Sequence, residues 1–230
     1  MDFDNFSQNY TKIHNQNIKI SGESSEYFSE YKVKALDDFY SWYNLKKDIK
    51  ILDLGCGIGK LEKFFSQYFP QAKIWGIDPS QESIQISSRE NKNGNIVFSI
   101  FDGRYIPFDD IFFDAIIIST VLHHVPLNER QTLIQECYRV LSSKGYIFIF
   151  EHNPLNILTR YIVKTCVFDK DAHLLNANTS KILLKQSKFI IKELDYIVFF
   201  PKILKSLRPL EKKLRWCCLG AQYFIVGYKQ

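Results

Sequence analysis

The sequence feature that constrains the fold most is the stretch from Ile51 to Leu61, ILDLGCGIGKL. An apolar run reaches Asp53, a glycine-rich turn follows, and apolar residues then recur at helical spacing. Glycine lets a backbone adopt positive φ and approach a ligand closely, and the N–H groups at a helix start suit an anion. The stretch therefore predicts a strand, a tight turn and a helix, either as a ligand site or as a turn without a ligand.

The spacing of these glycines argues against one class of cofactor. The dinucleotide pattern G-x-G-x-x-G, if it started at Gly55, would need a glycine at position 60, where the chain has Lys60. The chain instead reads Asp53-x-Gly55-x-Gly57-x-Gly59. NAD-dependent oxidoreduction is therefore disfavoured.

From Ile49 onward, apolar strand patterns alternate with helical ones. Short, nearly unbroken β-branched runs separated by helices are typical of a parallel sheet covered on both faces. We expect strands at Ile49–Leu54, Lys73–Asp78, Ile96–Phe101, Phe112–Ser119 and Gly145–Glu151, with helices near Lys60–Tyr68, Gln81–Glu90 and Leu127–Leu141. Ligands of such α/β folds bind beyond the carboxyl ends of the strands.

The two flanks of this region have different patterns. Residues 1–48 are predicted to be mainly helical, as a lid or extension on a domain that spans 49–230, with a helical insertion at about 154–187. We expect a further helix at Leu174–Ser187 and strands at Phe189–Phe199 and Gln222–Tyr228.

Acidic residues follow the second and third predicted strands. Asp78, before Pro79, can accept the two hydroxyls of a ribose lying over the glycine turn, although a helix N-cap is a credible alternative. Asp102, before Gly103, is either a second ligand contact or a solvated turn residue.

Taken together, these motifs resemble those of the class I S-adenosylmethionine (SAM)-dependent methyltransferases over about Ile49–Pro154. The resemblance rests on the glycine turn, the two acids, the PFDDIFFDAIIISTVLHHV stretch and the ECYRVLSSKGYIFIFEHNP unit that follows it. It implies a Rossmann-like α/β fold with a seven-stranded, mostly parallel sheet of order 3-2-1-4-5-7-6, the last strand antiparallel. It also implies SAM as cofactor and S-adenosylhomocysteine as product. The cofactor-binding residues would be Asp53, Gly55, Cys56, Gly57, Gly59, Asp78, Pro79, Asp102, Gly103 and Ser119, with Cys56 interpreted as a small packing residue of the turn.

The implied reaction is attack of a substrate O, N or C nucleophile on the methyl group, so a base is needed only if that nucleophile must lose a proton. His124, His123 and His152 lie at predicted strand ends, and an imidazole titrates near working pH. Each of them could instead be a hydrogen-bonding pocket residue. We expect Glu151 and Asn153 to orient substrate or brace the histidines, and we regard Tyr10, Tyr27 and Arg160 as further pocket candidates.

Charge and composition bear on the partners. The segment Lys202–Trp216 contains six cations and a single anion, Glu211, and this excess equals the chain's whole formal charge of +5. A broad nucleic-acid-binding surface is therefore not indicated. That segment is interpreted as a surface helix packed by its apolar stripe, or else as a weak membrane-surface contact. Five cysteines without a C-x-x-C pair, and no visible signal peptide, favour a reduced cytoplasmic protein without a metal site.

Three functions stay open at this level. The first is methyl transfer to a small molecule such as a sugar or metabolite intermediate. The second is methylation of a quinone or other lipid at a membrane surface. The third is a SAM-binding partner or sensor protein without catalysis.

Overall fold

The computed structural model describes the backbone from Tyr10 to Gln230, and the side chains from His14 onward except that of residue 168. Within this part of the chain, seven strands form one sheet of order β3-β2-β1-β4-β5-β7-β6. All neighbours pair in parallel except β7, which is antiparallel to both β5 and β6. The fold class predicted from the resemblance is therefore confirmed. The strands are β1 Lys50–Leu54, β2 Lys73–Asp78, β3 Ile96–Ile100, β4 Phe113–Ser119, β5 Leu141–His152, β6 Ile190–Ile197 and β7 Gln222–Tyr228.

Helices lie on both faces of the sheet and in the connections around its carboxyl edge. Their starts agree with local chemistry, since the side chains of Ser24, Ser80, Asn156 and Asn176 each accept a hydrogen bond from the backbone N–H three residues on. The α-helices are α1 Tyr10–Asn17, α2 Ser25–Trp42, α3 Glu62–Tyr68, α4 Gln81–Glu90, α5 Arg130–Val140, α6 Ile157–Thr165, α7 Ala177–Gln186 and α8 Glu211–Leu214, and 3₁₀ turns occupy Ile18–Ser21, Val167–Asp169 and Lys202–Leu210.

The core consists of two apolar layers, one on each face of the sheet. Alternate residues of β4 enter opposite layers, Ile116 facing α5 and α7 and Ile117 facing α2 and α3. Both are fully buried, as expected for a central parallel strand. Helix α2 contributes Val33 and Leu36 to the second layer, so this N-terminal helix packs directly on the sheet.

The interpretation of the basic segment as a helix packed by an apolar stripe is wrong. Residues Lys202–Leu210 form a 3₁₀ stretch without a buried side chain among them, and Ile203 is 89% exposed. Pro209 lies near the end of this stretch, where it lacks the N–H that a continuous α-helix would need. The apolar residues of Lys202–Leu210 therefore face solvent.

Among the described residues, no helix combines the length and the apolar character that crossing a bilayer would require.

Candidate active site

The glycine-rich turn after β1 is held against the end of β2 by its own backbone. The N–H groups of Gly55 and Cys56 both donate to the carbonyl of Ile77, at 2.8 and 3.1 Å. The Gly57 N–H donates to Oδ2 of Asp78 at 2.9 Å. The predicted acid at the tip of β2 is thus joined to the predicted turn, and its other oxygen accepts from the backbone N–H of Ser80 at 2.9 Å.

The three glycines of the turn have different reasons to be glycine. All three have positive φ. A Cβ on Gly55 would lie 2.5 Å from Val121, and a Cβ on Gly59 would lie 2.6 Å from Asn91. At Gly57 no atom of the described residues, apart from its chain neighbours, lies within 4 Å of that position, and the residue borders a cavity. Packing therefore explains Gly55 and Gly59, whereas Gly57 leaves room for a ligand.

Two buried carboxyl groups face each other beneath the turn. Asp53 and Glu62 are both fully buried, and each carboxyl affects the pKa of the other. Burial raises the pKa of both carboxyls, and it raises that of Glu62 well above its ordinary value. Glu62 is therefore the carboxyl that keeps a proton. Asp53 borders the cavity and receives no hydrogen bond from an N–H group of the described residues.

A cavity of about 770 Å³ extends from this turn along the carboxyl ends of the strands. This volume is within the usual range for small-molecule sites. Its lining on the turn side includes Asp53, Gly55, Cys56, Gly57, Asp78, Pro79, Asp102, Gly103 and Ser119. On the far side the lining includes His14, His123, His124, His152, Asp169, Leu158, Ile162 and Val198–Pro201.

The histidine side of the cavity is organised by Glu151, at the end of β5. Its Oε1 accepts from the backbone N–H groups of Val121 and Leu122 at 3.1 and 2.8 Å, and its Oε2 lies 2.6 Å from Nδ1 of His123. The His124 ring centroid lies 4.1 Å from that of His123, and the His152 centroid lies 5.3 Å from it. The turn after β4 and the end of β5 therefore bring three histidines together.

These histidines differ in charge because of their neighbours. Burial opposes protonation of His123, but the Glu151 and Asp169 carboxylates outweigh it and raise its pKa to about 9. Burial, followed by the positive charge on His123, lowers the pKa of His124 and of His152 to about 4. At neutral pH, one imidazolium accordingly lies beside two neutral imidazoles.

The structure brings most of the sequence-predicted site residues to the cavity. Two substrate candidates do not line it: Glu151 is fully buried behind His123, and Asn153 is fully buried and donates to the carbonyls of Cys218 and Gly220. Both residues brace the site instead of facing a substrate.

Four other candidates stand apart from the cavity or outside the described side chains. Arg160 is exposed on α6, Tyr27 is half-buried under the Arg208 guanidinium, and Gly59 packs on α4. The side chain of Tyr10 lies outside the described residues.

Several lining residues were missed by sequence reasoning. Lys32 is only 7% exposed and donates to Oγ of Ser119 at 2.8 Å, and burial lowers its pKa to about 8. Its position four residues after Phe28 and four before Leu36 places it on the inner face of α2, and this spacing is a signal that the sequence carries. Asp169 and His14 have no comparable signal, since the first lies in a short 3₁₀ turn and the second in a polar helix.

Comparison with known proteins gives a consistent result. Residues 52–149 match a family model described as a methyltransferase domain. Demethylmenaquinone methyltransferase of Thermotoga maritima is 33% identical over 107 residues, which is 46% of this chain and 45% of that protein. The mitochondrial ubiquinone biosynthesis O-methyltransferase of Rattus norvegicus is 33% identical over 115 residues, 47% of this chain and 32% of that protein. The matches thus span less than half the length of these curated relatives.

A crystal structure of a SAM-dependent methyltransferase from Thermotoga maritima shares the fold, with a TM-score of 0.69 at 18% identity over 99% of this chain and 98% of that one.

Residues 52–149 are thus similar to methyltransferase domains, and the whole chain shares the fold of a SAM-dependent methyltransferase.

The similarity to SAM-dependent methyltransferases implies SAM as the cofactor, and the residues present fit it. The space over Gly57 is open among the described residues, so it could take the amino-acid part of the ligand. Asp53 offers carboxylate oxygens that receive no N–H donor from the described residues, and Asp78 places a second carboxylate on the cavity wall next to the turn. Lys32 adds a buried cation nearby, which suits a carboxylate.

The Glu62→Gln variant should flatten the pH dependence of stability. Because the folded-state pKa of Glu62 lies above the unfolded one, the folded protein holds the extra proton. The stabilising contribution is complete below about pH 4 and is lost as pH rises through the folded pKa. Each tenfold difference in proton affinity between the folded and unfolded states corresponds to about 1.4 kcal/mol of unfolding free energy.

Urea unfolding at pH 5 and pH 8.5 measures this effect. The loss of unfolding free energy between the two pH values should be smaller in Glu62→Gln than in the wild type. The exposed Glu90→Gln is the control, and an equal loss in all three proteins would contradict the prediction.

The Gly57→Ala variant should weaken SAM binding at least tenfold by filling the open space above the turn. Its positive φ adds a cost of roughly 1–2 kcal/mol, so the protein should still fold. Calorimetric titration with SAM measures the affinity. Gly94→Ala, also with open space around the added carbon, should bind SAM like the wild type; unchanged affinity in Gly57→Ala would refute the assignment.

Proposed function

We propose that this protein transfers a methyl group from SAM to an oxygen, nitrogen or carbon nucleophile of a small molecule. The observation that carries the proposal is the continuity of one cavity from the glycine turn to the histidine cluster. A cofactor seated over the turn and an acceptor seated by the histidines would share this space. Holding two reactants in line can supply a large part of a rate acceleration.

When bound, SAM supplies an electrophilic methyl group on a positively charged sulfur. Asp78 would hold ribose hydroxyls, and Asp102, at the exposed rim of the cavity, would meet the base. Oδ1 of Asp102 accepts from the N–H groups of Arg104 and Tyr105 at 2.8 and 2.7 Å, which fixes its orientation. Lys32 and Asp53 would meet the amino-acid end.

The histidines would handle the acceptor. His124 and His152 are neutral at pH 7 and can each take a proton, whereas His123 is fixed between two carboxylates as a donor. The Glu151 carboxylate fixes the ring orientation of His123 and, through two backbone bonds, the course of the turn. The apolar walls around them limit the access of water.

The His124→Ala variant should lower turnover by a factor of at least about 100 while SAM affinity stays within about twofold, because His124 borders the acceptor half of the cavity. The measurements are SAM titration and transfer of labelled methyl to acceptors in cell extract. His173→Ala is the matched control, since that side chain is exposed. Parallel losses of affinity and turnover would argue for a structural role. Absence of transfer by the wild type, with SAM bound, would favour a protein that binds the cofactor without catalysis.

A second candidate acceptor is a quinone or another lipid. Two relatives carry names of quinone-modifying enzymes, and the far wall of the cavity is apolar, with Leu158, Ile162 and residues 198–201. Next to this wall, Ile157, Tyr161, Trp216 and Leu219 are 61–82% exposed. Asn156 Nδ2 donates to the Leu219 carbonyl at 2.7 Å. This bond holds the exposed side chains of α6 beside those of Trp216 and Leu219. An apolar surface of this kind beside an apolar cavity suits an amphipathic acceptor.

The charges nearby favour an anionic surface for this second candidate. Arg208 pairs with Glu23 and Arg215 with Asp195, whereas Lys202, Lys205, Lys212 and Lys213 are exposed and in no ion pair that the described residues form. Exposed lysines near an anionic bilayer contribute about 1 kcal/mol each.

Co-sedimentation with vesicles containing anionic lipid should therefore occur at low salt and disappear at high salt. The double variant Lys205→Glu/Lys212→Glu should sediment less, and the control Lys73→Glu/Lys92→Glu, on the other side of the sheet, should behave as wild type. Labelled product that partitions into organic solvent would support the lipid acceptor. Absence of sedimentation at low salt, with a water-soluble product, would leave the polar small molecule as the acceptor.

A further inference from the structure

Three side chains at the far end of the cavity direct donor atoms at one another. Nε2 of His123 and Nε2 of His124 each lie 3.4 Å from Oδ1 of Asp169. One ligand atom from each of the three residues lies within 4.8 Å of the other two. Asp169 comes from the 3₁₀ turn that follows α6, so a connection remote in sequence brings it to the two histidines.

The spacing fits a shared metal ion better than direct hydrogen bonds. Charge-assisted hydrogen bonds are typically about 2.7–2.9 Å long, and both contacts are longer. Ligand atoms at about 2.0–2.1 Å from a tetrahedral ion lie about 3.3–3.4 Å apart, which matches both contacts to Asp169. The donor set, two imidazoles and one carboxylate, suits a first-row transition metal.

The surroundings of His123 support the same interpretation. A metal-binding histidine usually donates its other ring N–H to a carboxylate, which fixes the ring and its tautomer. His123 has this arrangement, with Nδ1 2.6 Å from Glu151 Oε2. Glu151 is fully buried and held by two backbone N–H groups, so the ring is directed at Asp169 by a rigid support.

We propose that His123, His124 and Asp169 bind one divalent transition metal ion, with zinc or a similar ion as the best match. The inference departs from the sequence-based expectation of no metal site, because the third donor could not be associated with the histidines before the fold was known. All three residues line the cavity, so a coordination position would face the acceptor. Sites with three protein ligands and an open position are the usual catalytic type.

The use of the ion in catalysis rests on the proposed function, whereas binding of the ion does not. An ion at this place would hold an oxygen or nitrogen of the acceptor and favour loss of its proton. Binding of the ion would release the proton from Nε2 of His123 to solvent. His124 would then be a ligand, and His152 would be left to take the proton of the acceptor.

Metal titration of the full chain, after removal of metals by a chelator, tests the binding directly. Cobalt(II) should bind at one equivalent and give visible absorption bands of a low-coordinate site, and zinc(II) should displace it. Magnesium, which prefers all-oxygen sites, should not displace it even in large excess. The proposal would be overturned if the protein bound neither cobalt nor zinc above the level measured in a control with excess chelator.

Variants separate the three ligands from incidental surface sites. Asp169→Asn and, independently, His124→Ala should each weaken cobalt binding at least tenfold and change the visible spectrum. Asp171→Asn, two residues away and exposed, should retain both the cobalt affinity and the visible spectrum of the wild type. Thermal melting without metal shows whether each variant is folded, and SAM titration shows whether the cofactor half is intact. Equal cobalt affinity in Asp169→Asn, Asp171→Asn and wild type would refute the site, whatever the outcome for methyl transfer.

Discussion

The acceptor half of the cavity depends on the interactions of one group, the carboxylate of Glu151. It lies at the end of β5, fully buried, and accepts two backbone N–H groups from the turn after β4 as well as facing His123. A charge buried so deeply is stable only when it is paired and hydrogen bonded. The His123 imidazolium and those two N–H groups satisfy it, and in doing so they fix where the histidines point. Loss of this one group would leave the turn after β4 without its support.

The two halves of the cavity are built in different ways. On the cofactor side, backbone groups make most of the contacts, since the Gly55 and Cys56 N–H groups are bonded to Ile77 and Gly57 is bonded to Asp78. On the acceptor side, side chains from separate elements meet, including α1, the turn after β4 and the insertion after β5. A fold can keep the first half while the second half changes, which agrees with relatives that differ in their named substrates.

This division also explains how much could be predicted from the sequence. The strands and the cofactor residues are local signals, because a buried parallel strand is a short apolar run and its tip is the next polar residue. Asp78 and Asp102 are therefore predictable, and they line the cavity as expected. Asp169 and His14 could not be found, because only the tertiary fold brings them to the histidines. Lys32 could have been found as a lysine on the apolar face of α2. The interpretation of Lys202–Leu210 was wrong because its spacing resembles an amphipathic helix, whereas the chain forms a 3₁₀ stretch with Pro209 near its end.

The unequal surroundings of the three turn glycines bear on how such proteins diverge. Gly55 and Gly59 are fixed by Val121 and Asn91, so any descendant that still folds must keep them small. Gly57 has no neighbour to clash with among the described residues, and a lineage released from the need for its cofactor could replace it and remain a stable protein. We therefore expect the middle glycine to be the position that separates working transferases from homologues that retain only the scaffold.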